Sequence, residues 1–255
     1  NLITKNPALM KKFSLLVFTA LIAFTLYSCS KKENDTKPTT ETKKEEPKKE
    51  TETKNEKAPE ANNQSSGKLE VMKFDKKDVP SDIKYKGKIV GGAKWKDANG
   101  ENLLIITETE IQNVKDKNGN DAISKELFAY SYIVKPGENT LLWQINDFVK
   151  DCPLDLSLNY NLNSLTITDV NENGIGESTF LYRMSCKGDV SPDDLKLMMH
   201  EGKDKYALRG MTELKYKVDG KTTLEGGEYK ADASFDKAPK GFLDYAKKQW
   251  NKYKT

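Results

Sequence analysis

From Asp97 to Gly220, short clusters of turn residues divide the chain into strand-like stretches. They are Asp97-Ala98-Asn99-Gly100, Asp116 to Asp121, Pro136-Gly137-Glu138-Asn139, Gly202 to Lys205, and Asp219-Gly220. The segments between them alternate apolar and polar side chains, as half-buried strands do. The expected strands are Lys86 to Trp95, Asn102 to Gln112, Glu126 to Val134, Leu141 to Val149, Ser178 to Cys186, Asp194 to Glu201, Tyr206 to Arg209 and Thr212 to Val218. A weak strand over Leu69 to Phe74 comes before them, and Lys77 to Asp82 reads as a loop. Gly91-Gly92 inside the second segment suggests a bulge. Asn99-Gly100 suggests a type I′ hairpin, because both residues accept positive φ. Ser164 to Val170 pairs with Ser178 to Cys186 around a loop, Lys150 to Asn163 looks irregular, and residues 222 to 235 add one or two strands.

The chain closes differently. Over Pro239 to Lys254, Phe242, Tyr245, Ala246, Trp250 and Tyr253 recur at helical spacing. Lys247, Lys248, Lys252 and Lys254 lie off that stripe, toward the end where cations suit the helix dipole. The expected architecture is therefore mainly β: an antiparallel meander or sandwich-like sheet of about nine to eleven strands, with one C-terminal amphipathic helix. Trp95 and Trp143 are expected as core anchors, stacking on a sugar being the other use for such a ring.

Only residues 68–255 have this character, and they form one domain of ordinary size. Residues 1–9, before Met10, read as upstream sequence translated past the start. Met10-Lys11-Lys12 is a basic lead into the apolar run Phe13 to Tyr27, which is too short to span a bilayer and reads as a signal peptide over residues 10–28. It ends in Leu26-Tyr27-Ser28-Cys29, which resembles the lipobox of bacterial lipoproteins. The resemblance implies acylation of Cys29 and a lasting membrane anchor. Ser30-Lys31-Lys32-Glu33-Asn34-Asp35 resembles the export tag of Bacteroidetes surface lipoproteins, with Asn34 interrupting the acids. The implied address is an outer-membrane lipoprotein exposed at the cell surface, or otherwise facing the periplasm.

Cys29 and the segment behind it, residues 29–67, form a tether of Lys, Glu, Thr, Asn and Pro that lacks the apolar surface to fold. Residues 30–67 hold nine Lys against nine acids, and residues 68–255 hold 30 basic against 30 acidic side chains. The net charge of +3 thus belongs to the lead peptide, and a balanced domain argues against nucleic acid as a partner. Once Cys29 is set aside, Cys152 and Cys186 are an even pair in an exported chain, which points to a disulfide.

One loop has the order of a cation site. Asp169, Asn171, Asn173 and Glu177 fall at D-x-N-x-N-G-x-x-E spacing, with Gly174 for the sharp turn and the Ile175 carbonyl as a further oxygen. The twelfth position, where an EF-hand needs Glu, is Phe180. The loop resembles instead the short calcium-binding hairpins of integrin-type propeller repeats. Two formal charges imply weak calcium affinity. The competing reading is a plain turn whose Asn and Asp side chains bond their own backbone.

Catalytic patterns are scarce. His200 is the only histidine and is expected to face outward from its strand, which leaves little material for a zinc site or a Ser-His-Asp triad. Gly220-Lys221-Thr222-Thr223 lacks the earlier glycine of a phosphate loop.

The run TDVNENGIGESTFLYRMSCKGDVSPDDLKLMMHEGKDKYALRG, with GGAKWKDANGENLLIITET and ELFAYSY upstream, resembles a lipoprotein family of flavobacteria described as surface polysaccharide biosynthesis proteins. The resemblance spans about residues 86–215 and brings no catalytic residues with it. It implies a lipid-anchored, non-enzymatic envelope protein that supports assembly of lipopolysaccharide or capsule. Its partners would be the membrane, envelope glycan and polysaccharide-assembly proteins. The alternative is a surface-exposed module that binds glycan or protein.

Overall fold

The computed structural model describes residues 68–255; the expected lead residues, signal peptide, lipidated Cys29 and tether lie outside the described residues. The domain is built from two antiparallel sheets, a small hairpin and one helix.

The first sheet contains β1 (Glu70–Met72), β2 (Lys88–Asp97), β3 (Gly100–Glu108), β4 (Gln112–Lys115), β5 (Asp121–Lys135) and β6 (Glu138–Cys152). Its order is β1-β2-β3-β5, with β4 continuing along the β5 edge that β3 leaves; β6 pairs with the opposite edge of β5 over nearly its full length. The second sheet contains β7 (Asp155–Tyr160), β8 (Thr166–Thr168), β9 (Glu177–Lys187), β10 (Asp194–Glu201) and β11 (Asp204–Met211). β12 (Glu213–Val218) and β13 (Lys221–Gly226) form the separate hairpin, and β14 (Tyr229–Ala231) returns to pair with β11. The second sheet runs β14-β11-β10-β9-β7, with β8 sharing the β9 edge with β7.

The mainly β reading with a single C-terminal helix holds. Several boundaries differ, each for a local reason. Asn102 to Gln112 is not one strand: β3 stops at Glu108, and β4 starts at Gln112 to pair with the far end of β5. Lys150 to Asn163 is not irregular, because Leu156, Leu158 and Tyr160 alternate inward in β7. The β2–β3 loop residues are Ala98 and Asn99, neither of which has positive φ; Gly100 alone takes it, at 112°. The hairpin is therefore not type I′. A bulge does interrupt β2, between Ile89 and Gly91. Within the 77–82 loop lies the end of a short 3-10 turn, Lys76–Asp78, capped by Asp75. The described residues hold fourteen strands, the surplus being short pieces such as β4 and β14.

Three apolar clusters follow from strand alternation. Between the sheets lie Trp95, Leu104, Ile106, Leu127 and Val149 from the first, and Leu158, Phe180, Tyr182, Met198 and Ala207 from the second. The outer face of the first sheet buries Leu103, Ile105, Phe128 and Tyr130 beneath Ile83 and Phe74. The outer face of the second sheet buries Leu181, Leu195, Leu197, Met199 and Leu208 under α1 (Phe242–Tyr253). The second sheet is thus apolar on both faces. Each such side chain fully buried is worth about 1.5–3 kcal/mol.

Helix α1 buries Phe242, Ala246, Gln249 and Trp250, spaced as one helical face requires. Tyr245 and Tyr253 flank that face with their hydroxyls on Thr166 Oγ1 and the Asn163 carbonyl. Cys152, at the end of β6, is bonded to Cys186 on β9, so the disulfide ties one sheet to the other. At Gly210, a Cβ would lie 1.9 Å from the carbonyl oxygen of Glu228, so only glycine lets β11 and its neighbour approach.

Candidate functional site

The calcium-like loop is placed as a latch. Asp169 accepts the N–H groups of Asn173 (3.0 Å) and Gly174 (2.9 Å), Asn171 Oδ1 accepts Asn173 N–H, and Asn173 Oδ1 accepts Ile175 N–H (2.8 Å). The side-chain amides of Asn171 and Asn173 both donate to Glu201 Oε1 at 2.8 Å. Across the molecule, buried Asp97 accepts Gly176 N–H (3.0 Å) and the Trp95 indole N–H (2.9 Å) on one oxygen, and Ala98 N–H donates to the Gly174 carbonyl. The β8–β9 loop is thereby pinned to the β2–β3 turn. Its conformation is accounted for by these bonds alone.

Glu177 is fully buried and accepts Val170 N–H (2.9 Å) and the Thr168 hydroxyl (3.0 Å). Burial, reinforced by the charge of its cross-strand neighbour Glu201, lifts its carboxyl to about 7. Asp169 and Glu177 supply the only two formal charges of the five expected ligands, the rest being Asn171, Asn173 and the Ile175 carbonyl. Such a set fits calcium weakly, and no group of three acid, His or Cys side chains converges among the described residues.

A different place in the domain carries more chemistry. Strand register puts Lys196, Met198 and His200 of β10 on the face that looks toward the first sheet, opposite Arg209, Ala207 and Lys205 of β11. Met198 and Ala207 continue into the inter-sheet core. The charged residues on the same face do not, because the first sheet ends at edge strand β6 while β11 and β14 carry the second sheet further. The result is an open cleft of about 380 Å³, walled by Trp143 to Asp147 of β6 and floored by Tyr182, β10 and β11.

The walls are unequal in charge. Lys196, Lys203, Lys205 and Arg209 line the cleft against one carboxylate, Asp147. That carboxylate is engaged: Tyr182 donates to its Oδ2 at 2.9 Å and the Lys196 ammonium contacts the same oxygen. The phenol is held well above its ordinary range by burial and then by the neighbouring Asp147 charge, so it remains a hydrogen-bond donor. Arg209 is paired with Asp232. Lys203 and Lys205 are exposed and have no acid partner among the described residues.

His200 does not face outward, as its polarity had suggested. Alternation places it on the inter-sheet side, where it is 3 % exposed and stacked on Trp143, with ring centroids 3.8 Å apart and planes within 13°. Burial, with Lys205 adding to it, holds the imidazole neutral down to about 3. Its Nδ1 has no partner among the described residues. Trp95 is a core anchor, as expected; Trp143 is half-buried, packing against the same inter-sheet cluster while also forming part of the cleft wall. β6 has no neighbour on its outer edge among the described residues, so its free backbone N–H and C=O groups, with Gln144 and Asn146, form a polar lip.

Such a cleft joins an aromatic face, mixed donors and acceptors, and surplus cations within a volume typical of small-ligand sites. Its members come from β6, β9, β10 and β11, which is why a charge count over the whole domain misses it. No family model, curated protein or solved structure matches this chain.

Proposed function

We propose that this is a lipid-anchored protein of the cell envelope whose β-domain binds surface polysaccharide during its assembly, holding the glycan without making or cutting it. The observation that carries the reading is the cleft between β6 and the β10–β11 pair, where half-buried Trp143 stands beside polar and cationic side chains. A sugar ring presents C–H groups to an indole and hydroxyls to polar neighbours, and this wall offers both. Among the described residues, the one carboxylate lining the cleft is bound by Tyr182 and Lys196, which favours binding over the two-carboxylate chemistry of glycoside hydrolysis.

The address rests on separate support. Leu26 to Cys29 has the lipobox order, Ser30 to Asp35 has the order of a surface-export tag, and residues 86–215 resemble the flavobacterial polysaccharide-linked lipoproteins. Together these favour an outer-membrane lipoprotein, anchored through Cys29 and exposed at the cell surface.

Two measurements test the reading. Lipopolysaccharide and capsule from a strain lacking the gene should be shortened or lost, and a copy of the gene should restore them while one carrying Trp143→Ala should not. Purified protein should bind glycan extracted from the wild-type surface. Binding with an unchanged glycan profile moves the protein to the alternative, a surface glycan-binding module outside biosynthesis. No binding removes both glycan readings and leaves the surface module that binds protein.

A further inference from the structure

We infer that the cleft is built for an acidic glycan, with Lys203 and Lys205 meeting its carboxylate or phosphate groups and Trp143 meeting the ring that carries them. The inference rests on the glycan-binding reading above and adds the chemical class of the ligand.

The folded domain has equal numbers of acidic and basic side chains, so it exerts no general pull on anions. The surplus of cations in the cleft is local, and strand pairing produces it. Lys196 lies opposite Arg209 and His200 opposite Lys205, while Arg209 in turn lies opposite Lys230 on β14. Alternate positions on these strands therefore raise one row of cations on the face left uncovered by β6.

The acids that could neutralise this row are accounted for. Asp147 serves Lys196 and Tyr182, and Asp232 serves Arg209. Asp204 precedes Lys205 on β11 and so belongs to the opposite face. Of the cations that line the cleft, that leaves Lys203, in the β10–β11 turn, and Lys205, at the start of β11, without an acid partner among the described residues; Lys230 lies outside the lining. His200, neutral beside them, adds none. Trp143 lies on the wall across from β11 and stacks on His200, so ring and anion sites are adjacent.

A nucleic acid is the other common acidic polymer. It would need a basic track several phosphates long, and this row is short and bounded by Asp147 and Asp232. An acid-bearing sugar, with one charge per residue or fewer, suits it better.

The test uses the purified full chain in calorimetric titrations against four probes. These are oligogalacturonate, a neutral galactose oligomer of the same length, a phosphate-bearing oligosaccharide and a single-stranded oligonucleotide. The acidic saccharides should bind, and more weakly as salt rises; their relative strength tells carboxylate from phosphate. Changing Lys203→Gln and Lys205→Gln together should weaken acidic binding at least about tenfold, the worth of one charge-assisted contact. Both side chains are exposed, so the melting curve should not move. Trp143→Ala should weaken both classes of saccharide. Equal affinity for the neutral oligomer, or no effect of the double lysine change, overturns the inference while the glycan-binding reading stands. An oligonucleotide bound as tightly as the acidic saccharides also overturns it. No saccharide bound by the wild-type chain overturns both.

Discussion

Replacing Glu177 with glutamine should make the domain more stable at neutral and alkaline pH and change how its stability responds to acid. In the folded chain the carboxyl is buried, and its pKa rises from 4.5 to about 7. The folded state therefore holds that proton more tightly than the unfolded chain does. The stabilisation this brings is fully present below pH 4.5 and is lost as pH rises through the window from 4.5 to about 7. At 1.36 kcal/mol per pH unit, the whole window is worth about 3 kcal/mol. For a domain of this size that corresponds to roughly 6–12 °C in Tm. Glutamine keeps one oxygen to accept both Val170 N–H and the Thr168 hydroxyl, which meet the same carboxyl oxygen, and faces Glu201 without charge. His200 acts in the opposite sense over an overlapping range, since a base held neutral down to about 3 gains stability as pH rises toward 6.5. The wild-type curve alone is therefore a poor readout. Urea unfolding of wild type and Glu177→Gln, from pH 4 to pH 8.5 in chelator, gives the difference that isolates this carboxyl. That difference should move toward the glutamine variant by about 3 kcal/mol across the window. A difference that stays flat, or moves the other way, refutes the argument from burial.

Three further outcomes follow from particular contacts. Gly210→Ala should cost about 3 kcal/mol or more in urea unfolding, because the Cβ would meet a backbone carbonyl that cannot rotate aside. Converting Cys152 and Cys186 together to serine should cost about 3–4 kcal/mol, from the 34-residue separation that the bond closes in the unfolded chain; an unchanged denaturation midpoint would contradict it. Millimolar calcium should leave Tm within about 1 °C of its value in chelator, since the side-chain oxygens of Asp169, Asn171 and Asn173 already accept the loop's own N–H groups. A rise that Asp169→Ala abolishes would put an ion in the loop.

The strand-and-turn layout was readable because its cues are local. Asn-Gly and Pro-Gly mark reversals, and alternation at Leu195, Leu197 and Met199 marks a half-buried strand. The helix was readable from Phe242, Ala246 and Trp250, although Gln249 shares the buried face and gave no apolar signal. The misses have physical causes. β7 follows directly on the Cys152 turn and presents only three inward residues, too few to display a period. His200 was misjudged because polarity suggested solvent, while β10 has apolar surroundings on both faces. The cleft was invisible for a different reason. Trp143, Tyr182, Lys196 and Arg209 meet only through strand register and the way edge strand β6 faces β9, β10 and β11, and neither is a property of any short segment. The disulfide pairing was legible from the count of cysteines alone.

Lys203 and Lys205 stand where the second sheet runs past its partner, outside all three apolar clusters and apart from the latch at Asp97. Folding thus places almost no demand on these two side chains. On the glycan-binding proposal, these positions can change to suit a different glycan, one exposed residue at a time, while Trp250, Glu177 and the Cys152–Cys186 bond stay as they are. The overhanging sheet separates what the molecule must keep in order to fold from what it is free to vary in order to recognise.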